Sequence, residues 1–128
     1  MTPPVIQRWL DIIENHHTED VEAILAEDAV FYSPAVFTPQ EGRAKAVMYL
    51  TAAAKLLGND EFRYVGQWFG ERSAVLEFVT VVDGIQVNGV DMIHWNDDEQ
   101  IVEFKVMLRP FKALQAVMPA MAELLRLS

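Results

Sequence analysis

The hydrophobic period of this chain switches after Leu57, and that switch limits its possible folds more than any other feature. Up to Leu57 the apolar residues recur at helical spacing; from Glu61 to Arg109 they recur at every second position. In the helical half, Thr2 is a candidate cap and Pro3 and Pro4 suit a first turn. Val5, Ile6, Trp9, Leu10 and Ile13 then form one stripe, ended by Asn15-His16-His17. Thr18 opens a second short helix carrying Val21, Ile24 and Leu25. The segment Asp28–Ser33 turns β-like around Val30-Phe31-Tyr32 and stops at Pro34. A loop with Pro34, Pro39 and Gly42 leads to a helix over Arg43–Leu57, with Gly58 where a C-terminal cap belongs.

Beyond Glu61, Phe62, Tyr64 and Trp68 alternate with Arg63 and Gln67. Ala74–Val82 and Ile85–Trp95 flank an Asp83-Gly84 hairpin turn, and Ile101–Arg109 is a last strand halted by Pro110. Phe111, Leu114, Val117, Met121 and Leu124 predict a final helix, which Pro119 should kink or restart. Helices followed by an antiparallel meander, without linker or repeat, predict one α+β domain over residues 1–128. Two neighbouring strands are apolar on both faces: Leu76 and Phe78 on one side, Val75, Val79 and Val81 on the other, with Val90, Met92 and Met107 extending the second. A sheet with one wet face would alternate more cleanly. The outer face therefore needs a cover, either an identical partner chain or the C-terminal helix folded across it. The partner chain is the simpler of the two and predicts a homodimer.

Composition narrows the function. Acidic residues outnumber basic ones 19 to 10, a formal charge of −9 with no Lys/Arg cluster, so no nucleic-acid partner is expected. The most apolar stretch, Ser73–Val82, is too short to span a bilayer and contains Glu77, and no export signal is visible. The expectation is a cytoplasmic protein with no membrane partner. There is no cysteine, which removes thiolate metal sites and cysteine nucleophiles together.

The order of these elements resembles the nuclear transport factor 2-like superfamily, which includes SnoaL-like cyclases and ketosteroid isomerases. The matching pieces are Gln7-Arg8-Trp9-Leu10, Asp28-Ala29-Val30 with Ser33-Pro34, Gly42-Arg43-Ala44, Gly89-Val90-Asp91-Met92-Ile93 and Arg109-Pro110. The resemblance implies a cone-like roll: a curved antiparallel sheet wrapped around the N-terminal helices, with an internal apolar pocket and dimerisation through the outer sheet face. It also implies differences. Isomerases of this kind carry a catalytic carboxylate before the proline after helix two, where this chain has Ser33. They carry a tyrosine donor in helix one, where it has Trp9. Their protonated aspartate in the penultimate strand is matched by Asp91. Serine without a neighbouring base does not abstract a proton from carbon.

Asp91 is thus the candidate catalytic residue. It alternates with Ile85, Val87, Gly89, Ile93 and Trp95 on a face otherwise apolar. Burial there raises a carboxyl pKa, and a neutral acid can donate to a ligand carbonyl, a role for which the handful of well-studied isomerase relatives are the standing example. The expected pocket wall is Trp9, Tyr32, Ser33, Phe37, Tyr64, Trp68, Phe78, Phe104, Val106 and Leu108. Phe104, Val106 and Leu108 rest on strand alternation combined with the family layout. Such a lining suits a small apolar or aromatic molecule bearing an oxygen. His94 should face away from Asp91, Glu77 should pair with Lys105 or Arg109, and His16-His17 with Glu14 or Glu19 is too weak a pattern for a metal site. No cofactor is expected. The functional expectation is an isomerase- or cyclase-like enzyme using Asp91 as acid, with a noncatalytic ligand-binding or dimeric interaction scaffold as the alternative.

Overall fold

The computed structural model describes residues 1–126. Helix α1 spans Pro4–Asn15 and ends in a left-handed His16, whose N–H and that of His17 reach back to the carbonyls of Ile13 and Ile12. This C-terminal geometry satisfies carbonyls that would otherwise be orphaned. The expected second helix is two short 3₁₀ turns, Thr18–Asp20 and Glu22–Ile24, and strand β1 begins at once at Leu25 and runs to Tyr32. A short β2, Gln40–Glu41, precedes α2, Arg43–Leu57. Strands β3 (Arg63–Gly70), β4 (Ser73–Val82), β5 (Ile85–Trp95) and β6 (Ile101–Arg109) follow, then α3, Phe111–Arg126. Pro119 lies inside α3, which continues as one element through it.

The six strands form one curved sheet in the order β2-β1-β6-β5-β4-β3. It is mixed, not purely antiparallel: β1 runs parallel to β6, with Phe31 opposite Phe104. Hairpin turns in a sequence reveal the pairing of adjacent strands, but a pairing between the ends of the chain leaves no local signal. On the concave face, Phe31, Phe104, Val106, Ile93, Leu76 and Phe78 pack against Val5, Ile6 and Trp9 of α1 and Leu50 of α2. Burial of each such side chain stabilises the fold by roughly 1.5–3 kcal/mol.

Two details aim the interior. The end of α2 is pinned to β4, because Thr80 Oγ1 donates to the Leu57 carbonyl at 3.0 Å and Asn59 Nδ2 donates to the Val81 carbonyl at 2.8 Å. And β3 carries a bulge at Val65: Tyr64 pairs with Phe78, but Gly66 already pairs with Glu77. A bulge inserts one residue and reverses the alternation beyond it. Tyr64 therefore faces inward, while Trp68, across from Val75, faces outward.

Candidate functional site

Three elements deliver three polar side chains to one point under the sheet. Asp91 sits on the inner face of β5, between Leu76 of β4 and Val106 of β6, and is only 4% exposed. Tyr64 comes from edge strand β3, its hydroxyl 2.6 Å from Asp91 Oδ2. Trp9 comes from the second turn of α1, its indole Nε1 donating to the Tyr64 hydroxyl at 2.9 Å. An indole nitrogen can only donate. The Tyr64 oxygen must accept from it, so the single Tyr64 proton points to Asp91 Oδ2. That leaves Asp91 Oδ1 as the oxygen on which a proton resides or a ligand is met.

The surroundings set the charge of this carboxyl. Burial raises the Asp91 pKa to about 7, and the hydrogen bond from Tyr64 pulls in the opposite direction. Desolvation dominates because burial strips water from both carboxylate oxygens, whereas the Tyr64 hydroxyl compensates only Oδ2. The Tyr64 phenol is pushed well above its ordinary value, first by burial and then by Asp91, so it remains a donor. A carboxyl that titrates near neutrality, with one oxygen fixed and one free, suits proton transfer at neutral pH.

Around Asp91 lies a cavity of about 30 Å³, lined by Trp9, Phe104 and Val106, by Phe78 and Phe62, and by Leu50, Ala53, Ala54 and Leu57 of α2. That is room for about one water. Its wall is aromatic: Trp9 meets Phe104 edge-on at 4.9 Å, and Phe62 stacks on Phe78 at 5.2 Å.

With this geometry in view, the relationship to known proteins is decided by one match. Residues 6–104 match the model of the SnoaL-like domain. The chain belongs to the SnoaL-like family. Among solved structures, this SnoaL-like chain is similar to a steroid delta-isomerase from Pseudomonas aeruginosa, at 34% identity over 93% of this chain and 87% of that one, with a TM-score of 0.89. It is also similar to an uncharacterised bacterial protein with a cystatin-like fold from Silicibacter pomeroyi, at 29% identity over 94% and 84% of the two chains, TM-score 0.86. An NTF2-like protein of unknown function from Mesorhizobium loti, 20% identical over 83% and 88% of the two chains, shares the fold with a TM-score of 0.71. No curated protein sequence matches.

The SnoaL-like interior gathers only part of the expected wall. Trp9, Tyr64, Phe78, Phe104 and Val106 line the Asp91 cavity. Ser33 and Leu108 do not; they line a separate cavity of about 20 Å³ beside Phe31, Val117 and Met121. Ser33 Oγ accepts from the Ala35 backbone N–H at 3.1 Å, a local turn contact. Tyr32 is opposite Lys105 on the outer face, with the Lys105 ammonium 5.0 Å from its ring centre, because β1 presents Phe31 inward instead. Phe37, in the Pro34–Pro39 loop, is fully exposed. Trp68 is 57% exposed on the outer face, turned there by the Val65 bulge, with its ring lying against Gly66. Residues missed from the sequence are Phe62 and the inward row of α2; that row was legible as a stripe, but not as a cavity wall.

On the outer face, His94 pairs with Glu103 at 3.0 Å. Glu77 does not meet Lys105 or Arg109. It accepts from Asn88 Nδ2 at 3.1 Å, and Arg109 donates to Asn88 Oδ1 at 3.3 Å, so an amide bridges the two charges. His17, Glu19 and Asp20 converge within 4.8 Å, but all three are exposed on one surface turn.

Proposed function

We propose that this SnoaL-like chain is an isomerase- or cyclase-like enzyme that acts on a small lipophilic or aromatic carbonyl compound, with Asp91 as the acid and hydrogen-bond donor. The observation that carries the reading is the Asp91 carboxyl itself, buried, titrating near neutrality and held through one oxygen by Tyr64. Both reaction types pass through an enol or enolate, whose developing oxygen charge a neutral acid in an apolar site stabilises. The likeness to a protein described as a steroid delta-isomerase supports the same reaction type. Ser33 lies across the Ala53, Leu57 and Val106 side chains from Asp91, in its own cavity. Among the described residues no second carboxylate lines the Asp91 cavity, so the proton leaving carbon passes to water while Asp91 donates to the carbonyl oxygen, a step open to a substrate whose C–H is already acidic, such as a β-diketone. The position of Ser33 also favours the alternative, a noncatalytic binding protein.

The two readings separate by solvent deuterium exchange. Incubated in heavy water with a panel of cyclic enones and β-diketones, the protein is expected to accelerate incorporation of deuterium at the carbon beside the carbonyl. Saturable binding without any gain in exchange would leave the noncatalytic reading in its place.

We further propose that the outer sheet face is covered by a second copy of the chain. Val75, Val79, Val90 and Met92 are only partly buried there, and Met107 and Trp68 are 51% and 57% exposed. Apolar surface on this scale is characteristic of an interface. The wild type should sediment as a dimer of the 14.5 kDa chain. Val90→Glu, which places a second carboxylate beside Glu77, should sediment as a folded monomer. A monomeric wild type at micromolar concentration would refute the interface.

A further inference from the structure

A cavity that holds one water cannot be the whole binding site for an organic molecule, and the surface beside it offers the rest. Between α1 and the Gly58–Tyr64 segment runs a groove of about 500 Å³, within the usual range for small-molecule sites. Ile13, Gly58, Phe62 and Tyr64 line both this groove and the Asp91 cavity. The two spaces therefore share one wall, and Phe62 is its largest movable part. The backbone around it is fixed: Phe62 N–H donates to the Asn59 carbonyl at 3.0 Å, and the Asn59 side chain is tied to Val81. The ring is held only by apolar contacts, stacked on Phe78 and edge-on to Tyr64 at 4.9 Å. Rotation about side-chain bonds is the inexpensive motion in such a setting.

We propose that this groove is the main ligand site and that the Phe62 ring is a door between it and Asp91. The occupant is an elongated, uncharged molecule: an apolar head tipped by an oxygen, which passes Phe62 to reach Asp91, and a neutral polar tail, which stays in the groove. This rests on the reading that Asp91 meets a ligand oxygen. The polarity of the groove argues for the neutral tail. Glu14 and Asp60 share the groove wall with Arg63, His16, Gln7 and Asn59, so it offers both donors and acceptors and holds fixed charges of both signs. Hydroxyl or amide groups satisfy such a lining; a fully charged group would meet its own sign within it.

The test uses two fluorescent phenols, 2-naphthol and 2-naphthol with a hydroxyalkyl tail at the 6-position, titrated against the wild type, Gln7→Trp, Phe62→Ala and Asp91→Asn. Gln7 is exposed on the groove wall, so tryptophan there fills the groove without entering the core. The tailed probe should bind about tenfold more tightly than 2-naphthol to the wild type, and Gln7→Trp should erase that difference. Phe62→Ala should speed association of both probes, and Asp91→Asn should weaken both. If 2-naphthol binds in an Asp91-dependent way but neither the tail nor Gln7→Trp matters, the groove is refuted and the Asp91 site stands. If neither probe binds the wild type or Phe62→Ala, the Asp91 site fails and the groove fails with it.

Discussion

Asp91→Asn should lower deuterium exchange about 100-fold or more and, at pH 8, make the protein melt at a higher temperature than the wild type. The first effect follows from removing the carboxylic acid of the cavity, since positioned general acids contribute on the order of 10²–10⁴-fold. The second follows from linkage. In the unfolded chain the carboxyl ionises near its ordinary value of 3.8; in the folded protein it holds its proton to about 7. Between those values the folded state carries the extra proton, so this group's contribution to stability falls as pH rises through the window and is lost above it. A gap of about 3 pKa units corresponds to about 4 kcal/mol as an upper figure. Asparagine keeps the shape and can still accept from Tyr64, but it does not ionise. The difference in melting temperature between variant and wild type should therefore grow from pH 4 to pH 8. A constant difference across that range would mean that Asp91 is not buried as a titrating acid. Tyr64→Phe is the companion variant: it deletes the hydrogen bond that favours the carboxylate, so the window should extend to higher pH.

Gly89→Ala should be the most damaging single methyl group in the sheet, although Gly89 lies in an unremarkable stretch of strand. A Cβ there would stand 2.6 Å from the Met107 carbonyl oxygen, 2.6 Å from Phe78 Cζ and 2.7 Å from Leu108 Cδ2. Phe78 and Leu108 are side chains that can shift one at a time, but the Met107 oxygen belongs to the neighbouring strand's backbone and cannot retreat without opening the ladder. Overpacking of this kind costs about 1–3 kcal/mol, and a backbone clash places it at the upper end or beyond. Chemical denaturation measures the loss directly. Phe78, displaced, would also enter the Asp91 cavity, so ligand binding should fall with stability. A variant as stable as the wild type would show that the strands at Gly89 are less closely apposed than described.

Much of this architecture was legible in the residues. The stripe of Val5, Ile6, Trp9 and Ile13, the Asp83-Gly84 turn and the two-faced strands specify their elements through local rules of period and turn chemistry. Asp91 could be placed on the inner face because β5 alternates without interruption from Val87 to Trp95. Alternation failed where the backbone broke it. The Val65 bulge sends Trp68 outward, and nothing in Tyr64-Val65-Gly66-Gln67-Trp68 marks where an extra residue is accommodated except Gly66, whose missing side chain leaves room for the Trp68 ring. The bond from Tyr64 to Asp91 was hidden for a different reason. It joins residues on strands that are not neighbours, across β4, and depends on the sheet's curvature as well as its pattern.

The parallel pairing of β1 with β6 has a consequence for how the protein comes to be folded. Phe31 must wait for Phe104, and nearly the whole meander lies between them in the chain. Closing so long a loop is entropically costly before any contact rewards it. The hairpins β3-β4, β4-β5 and β5-β6 join neighbours and can zip early, whereas β1 can dock only after β6 has emerged and found its place. Until then the apolar edge of β6 and the underside of α1 are without their partners. Docking of β1 is thus a late, long-range step that helps to shut the interior, and its rate should influence how long a newly made chain stays vulnerable to aggregation.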